Sequence, residues 1–126
     1  MRYLLDTTVL IDQARGRPGA PELVASLFTE ANDLLTCDVV RAEALSGGSD
    51  REIAIVRAFI RAIEYVPTHP DAAAWAGETR RRLGRTSARG LADAIIAGVA
   101  WHSDAIVVTR NPGDFAPRGV RVLGYA

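Results

Sequence analysis

Four acidic residues stand where burial rules would place apolar ones or a simple cap. Asp6 follows the apolar run Tyr3 to Leu5, and Glu43 interrupts the apolar segment VVRAEAL. Asp93 lies at the start of the apolar stretch LADAIIAGVAWH, and Asp114 follows the β-branched run AIVVT in the turn NPGDF. If these carboxylates share one crevice, the energetics constrain its occupant. Two carboxylates about 6 Å apart at an effective dielectric near 20 repel by roughly 3 kcal/mol. Four together approach the whole stability of a domain, about 5 to 15 kcal/mol. Such a cluster requires a counter-charge, and hard oxygen donors in that number suit Mg²⁺ or Mn²⁺ better than zinc. A carboxylate-held Mg²⁺ polarises a phosphoryl oxygen and generates hydroxide from water, which makes metal-assisted phosphodiester hydrolysis the expected chemistry.

Each residue also has a plainer reading. Asp93 stands three residues after Gly90 and suits a helix-capping acid in a first turn. Glu43 suits a solvent-facing helix edge, Asp6 a cap for the following helix, and Asp114 an ordinary turn aspartate. The conjunction of all four carries the metal reading. Asp12 and Asp38 are assigned capping or surface roles. His69 and His102 lack the sequence spacing of a metal pair, Cys37 reads as a small buried residue, and Trp75 and Trp101 as packing residues.

The elements that must position these groups alternate in type. Tyr3–Leu5, Leu34–Thr36, Tyr65–Val66, Ala105–Thr109 and the segment VRVLG read as short buried strands. Thr7 and Thr8 open a turn or helix, and RGRPGAPE reads as a loop. Helices are expected over Glu22–Asn32, VVRAEAL, Glu52–Ile63, Pro70–Leu83 and LADAIIAGVAWH, with Asp38 and Asp50 as start signals and Gly47–Gly48 as a stop. In Glu52–Ile63 the stripe of Val56, Phe59 and Ile60 reads first as core and secondarily as a contact surface. Strands alternating with helices give an α/β fold with a mainly parallel central sheet of about four to five strands flanked by helices. In an open parallel sheet the carboxyl ends of the strands and the adjoining helix starts border one crevice, which Asp6, Glu43, Asp93 and Asp114 can share.

Composition narrows the function further. The chain has 126 residues, the size of one domain, and 48% hydrophobic with 24% charged residues, as in ordinary globular proteins. One domain is therefore expected over residues 1–126. All 15 basic residues are arginine, balancing 15 acidic residues. The absence of lysine excludes Schiff-base chemistry and a phosphate-loop lysine, and weighs against a receiver domain; the dinucleotide glycine pattern is also missing. A single cysteine excludes an internal disulfide. No signal-like or membrane-length apolar run occurs, so a cytoplasmic protein with no membrane contact is expected.

LLDTTVLID, the isolated Glu43 in VVRAEAL, ADAIIAGVA around Asp93 and VTRNPGDF, in that order from Leu4 to Phe115, resemble the PIN domain, in particular VapC-type toxins of bacterial toxin–antitoxin pairs. The resemblance implies a Mg²⁺- or Mn²⁺-dependent endoribonuclease that inhibits translation and leaves a 3′-hydroxyl and a 5′-phosphate. It matches Asp6, Glu43, Asp93 and Asp114 to the acidic constellation, and Thr8, Thr109 and Asn111 to supporting polar positions. It also implies a VapB-type antitoxin whose tail enters the crevice, a homodimer, and an RNA substrate with tRNA and rRNA as candidates. Arg85 and Arg89, ahead of Asp93, are the expected phosphate contacts. The alternatives are a noncatalytic PIN-like module that binds RNA or antitoxin, and a metal-dependent DNA nuclease. Nothing in the sequence reads a 2′-hydroxyl directly.

Overall fold

In the computed structural model, which describes residues 1–84 and 89–125, five strands form a single parallel sheet. The strands are β1 (Arg2–Leu5), β2 (Asp33–Cys37), β3 (Glu64–Val66), β4 (Ile106–Thr109) and β5 (Val122–Gly124). Their spatial order is β3-β2-β1-β4-β5, and every adjacent pair is parallel. Parallel strands need helical crossovers that cover both faces of the sheet. These are α1 (Thr7–Arg15), α2 (Ala20–Thr29), α3 (Asp38–Ala44), α4 (Asp50–Arg61), α5 (Pro70–Leu83) and α6 (Arg89–His102). Two 3₁₀ turns, Pro112–Asp114 and Ala116–Arg118, join β4 to β5.

The central strands are apolar because both faces are covered: Leu4, Leu5, Leu35, Val107 and Val108 are fully buried. Helix α6, apolar nearly all round, buries Ala94, Ile96, Ala97, Val99 and Ala100. On α4, Val56 and Ile60 are buried in the core, while Phe59 is partly buried, packs against the core and meets the exposed Phe28 edge-on with ring centroids 5.9 Å apart.

Several boundaries differ from the sequence reading for local reasons. Thr7 opens a full nine-residue helix ended by Gly16 in the left-handed region (φ 66°). Helix α2 starts at Ala20 rather than Glu22, because Pro21 fits a first helical turn and Glu22 accepts the Gly19 N–H at 2.9 Å. It ends at Thr29 rather than Asn32. Cys37, not Asp38, caps α3, and Asp38 instead accepts the Thr68 N–H and the Tyr65 hydroxyl. Ser49, not Asp50, caps α4 through the Glu52 N–H. Helix α6 begins at Arg89, before the expected Leu91.

Candidate active site

Counting outward from β1, the sheet runs through β2 and β3 on one side and through β4 and β5 on the other, so the strand order reverses between β1 and β4. Such a reversal opens a crevice at the carboxyl ends of the two strands. Asp6 and Thr109 stand at those ends. The Asp6 N–H continues the ladder to the Val108 carbonyl at 2.9 Å, fixing the main chain as it leaves the sheet.

Asp6 occupies the N-cap position of α1, yet its carboxylate makes no capping bond there. Its Oδ2 instead accepts the Thr109 hydroxyl at 2.9 Å and the Thr8 hydroxyl at 3.1 Å. Thr109 Oγ1 in turn accepts the Asn111 N–H at 3.0 Å, and Thr8 Oγ1 accepts the Arg110 N–H at 3.2 Å. Asp6 is therefore oriented by hydroxyls that are themselves held by main chain. Burial is the largest influence on its carboxyl and pushes it above the ordinary range; the Thr109 and Thr8 bonds pull the other way.

Glu43, exposed on α3, accepts the Thr7 hydroxyl at 2.8 Å. This bond ties α3 to the first residue of α1. Asp93 is half-buried on α6, and the early start of that helix moves it out of the first turn, where a capping acid belongs. Burial first, then the negative charges of Asp6 and Asp114 with a smaller push from Glu43, against the pull of Arg118, hold the Asp93 carboxyl up at about 6. Asp114 closes the first 3₁₀ turn and is exposed.

Asp6, Thr7, Thr8, Glu43, Asp93, Asn111 and Asp114 line one pocket of about 160 Å³. The four acidic residues and the supporting Thr8 and Asn111 thus come together, with Thr109 directly behind Asp6. They surround the pocket rather than close on a point: among the described residues, three of their oxygens do not gather within 4.8 Å. Arg85 lies outside the described residues, and Arg89 is described only as the first residue of α6.

Sequence reasoning missed three contributors. Thr7 holds Glu43, and the Thr7–Thr8 pair after Asp6 was the available signal. Arg118 supplies opposing charge to Asp93 from the second 3₁₀ turn. Asp12, expected at the surface or as a cap, is only 2% exposed. It pairs with Arg110 Nη1 at 3.2 Å and accepts the Tyr125 hydroxyl at 2.7 Å. This buried arrangement underpins the site, because Arg110 also donates its N–H to Thr8. No local pattern marks such a partnership across the chain. His69 and His102, set aside for their spacing, meet in space.

The PIN domain family model matches residues 3–116 of the chain. Ribonuclease VapC19 of Mycobacterium tuberculosis is 35% identical over 114 residues, covering 89% of this chain and 90% of that protein. Among solved structures, VapBC2 from Rickettsia felis, bound to a DNA fragment from its promoter, superimposes with a TM-score of 0.82 over all of both chains at 18% identity. The sarcin–ricin loop cleaving toxin VapC20 of Mycobacterium tuberculosis gives a TM-score of 0.71 at 19% identity, covering 94% of this chain and 95% of that one. Among the described residues, no helix is long and apolar enough to cross a membrane.

Proposed function

The chain belongs to the PIN domain family, and on that premise we propose that it is a divalent-metal-dependent endoribonuclease, the toxin of a VapBC-like pair. One observation carries the reading: Asp6, Glu43, Asp93 and Asp114, drawn from four separate parts of the chain, line one pocket at the reversal point of the sheet.

The donor set fits Mg²⁺ or Mn²⁺. It consists of carboxylate, hydroxyl and amide oxygens with no sulfur or imidazole, and the Asp93 carboxyl is raised first by burial and then by the negative charge of Asp6 and Asp114, a charge that a cation offsets. Asp6 and Asp93 would be the primary ligands, Glu43 would bind the ion or position water, and Asp114 would hold a second ion or act through water. A divalent ion held there supplies Lewis acidity toward a phosphoryl oxygen and lowers the pKa of water.

The chain's own residues do the positioning. Thr8 and Thr109 fix the Asp6 carboxylate, Thr7 fixes Glu43, and Asn111 ties its N–H to Thr109 while its side chain lines the pocket. Arg85 and Arg89 contact the RNA backbone, where guanidinium groups neutralise phosphates without reading sequence. The products carry a 3′-hydroxyl and a 5′-phosphate.

The partner follows from the same charge. A negative pocket left open is matched by an arginine on the tail of a VapB-type antitoxin, which silences the toxin by occupying the crevice. The toxin is a homodimer acting in the cytoplasm on structured RNA such as rRNA or tRNA, through which it inhibits translation. Similarity to a protein named as a ribonuclease supports RNA rather than DNA as the substrate.

The deciding experiment is cleavage of rRNA and tRNA by antitoxin-free protein with Mg²⁺ or Mn²⁺, with and without EDTA, followed by sequencing of the cut ends. Metal-dependent cuts with 5′-phosphate ends, abolished in Asp93→Asn, are the expected result. Folded, metal-supplied protein that cuts no RNA overturns the reading.

A further inference from the structure

His69 caps the start of α5, and His102 ends α6. The two helices cross so closely that a Cβ built on Gly98 would collide with the carbonyl oxygen of Ala72. Ala72 lies one turn beyond His69, and Gly98 lies one turn before His102. The crossing therefore delivers both imidazoles to one place. Their rings stack with centroids 4.4 Å apart and 13° between planes. Asp71, in the first turn of α5, brings Oδ2 to 3.7 Å from His69 Nδ1. One ligand atom from each of the three lies within 4.8 Å of the other two.

We propose that His69, Asp71 and His102 form a second metal site, which takes a late first-row divalent cation of the Zn²⁺ type. The donor chemistry separates it from the acidic pocket. Two imidazoles and one carboxylate favour Zn²⁺, Ni²⁺ or Cu²⁺, whereas Mg²⁺ takes oxygen ligands and keeps its water. The main-chain N–H of Asp71 donates to His69 Nδ1 at 3.0 Å, so Nδ1 offers the lone pair while Nε2 of the neutral ring carries the proton; an ion held between Nδ1 and Asp71 Oδ2, 3.7 Å away, takes the place of that hydrogen bond.

Ligand atoms of a zinc site stand about 2.0 to 2.2 Å from the ion, so the three must draw together and the stacked rings must turn until their lone pairs converge. All three side chains are exposed, so this movement disturbs no core packing. Three protein ligands leave a fourth position open to water. Asp93 and His102 share α6 but stand about 13 Å apart along its axis at the usual rise per residue. An ion bound at the histidines pins the start of α5 to the end of α6, the helix that carries Asp93.

The test keeps the acidic pocket saturated with millimolar Mg²⁺ while Zn²⁺ is titrated into the full-length protein by calorimetry. Ni²⁺ serves as a second probe, read by quenching of tryptophan emission. Trp101 stacks on Trp75 with centroids 5.5 Å apart and lies 6.3 Å from His102, within reach of a quencher there. One Zn²⁺ should bind per chain and raise the melting temperature as mass action requires. His102→Gln and Asp71→Asn should each weaken binding at least tenfold while Mg²⁺-dependent RNA cleavage stays unchanged. Wild-type Zn²⁺ affinity in both variants would place the ion elsewhere and overturn the proposal. Failure of the Mg²⁺-saturated protein to take up Zn²⁺ would overturn it as well. Neither outcome depends on whether the acidic pocket cuts RNA.

Discussion

Thr109 Oγ1 donates to Asp6 Oδ2 at 2.9 Å inside the protein, joining the ends of two neighbouring parallel strands through a side-chain bond. The same oxygen accepts the Asn111 N–H, so one buried hydroxyl sets both a carboxylate and the turn that leads to Asp114. Thr109→Val keeps the shape but removes the donor and strands the Asn111 N–H. Losing partners for buried polar groups costs about 1 to 3 kcal/mol. We expect denaturant unfolding to show a loss in that range. The apparent Mg²⁺ affinity in cleavage assays should fall as well, because Asp6 keeps only Thr8 as a hydroxyl partner.

The Asp93 carboxyl, held up at about 6, sets a pH dependence for the metal-free protein. Its folded value lies above the ordinary aspartate value of 3.8, so the folded state binds the proton more tightly than the unfolded chain. Unfavourable interactions of ionised Asp93 are present in full above about pH 6 and are relieved as the pH falls from there toward 3.8. Asp6, also raised, adds in the same direction. In EDTA, Asp93→Asn should therefore melt higher than wild type at pH 7.5, with the difference shrinking toward pH 4. Equal melting at both pH values would show that neither burial nor its acidic neighbours strain ionised Asp93. With Mg²⁺ added at pH 7.5, wild type should recover and the variant should gain less.

Asp12 is served by Arg110 and by the Tyr125 hydroxyl, so the end of the chain is tied back to α1 beneath the site. Breaking a buried charge pair by removing one partner costs about 3 to 5 kcal/mol. Arg110 retains 30% side-chain exposure, so the loss for Asp12→Ala should fall below that range. Tyr125→Phe removes a single hydrogen bond, worth about 1 kcal/mol. If the network supports Thr8 through Arg110, Asp12→Ala should reduce RNA cleavage in the folded fraction more than Tyr125→Phe does. Urea titrations and rates corrected for folded fraction separate the two effects.

What could be read from the sequence follows physical locality. The strands were legible because burial on both faces forces uninterrupted apolar runs such as Tyr3 to Leu5 and Ile106 to Val108. The acidic constellation was legible only as a conjunction, because each carboxylate alone has a plainer role as a cap, a helix edge or a turn residue. Helix starts were less so: Pro21 signals a loop and a first helical turn equally well, and Gly19 hides the start of α2. The start of α6 at Arg89 removes the capping alternative for Asp93, which falls beyond the first turn. Partnerships set by tertiary packing left no local trace. Asp12 with Arg110 and Tyr125, Thr7 with Glu43, and His69 with His102 each join segments that only the finished sheet and helix pair bring together.

Gly98 sits in the middle of α6, where glycine costs helix stability relative to alanine by about 1 kcal/mol. The crossing with α5 explains its presence, since a Cβ there would meet the Ala72 carbonyl oxygen, a main-chain atom that cannot turn aside. Gly98→Ala therefore sets a gain in helix propensity against an enforced separation of the two helices. Overpacking of a close contact costs about 1 to 3 kcal/mol, so the net effect should be destabilising, opposite in sign to the propensity scale. The variant should also separate His69 from His102, whose meeting depends on this crossing, and lower Zn²⁺ affinity under Mg²⁺ saturation. Asp93 lies more than one turn away along the same helix, so cleavage by the folded fraction should fall less than Zn²⁺ binding. A stabilised Gly98→Ala protein with intact Zn²⁺ binding would mean that the two helices can move apart without cost.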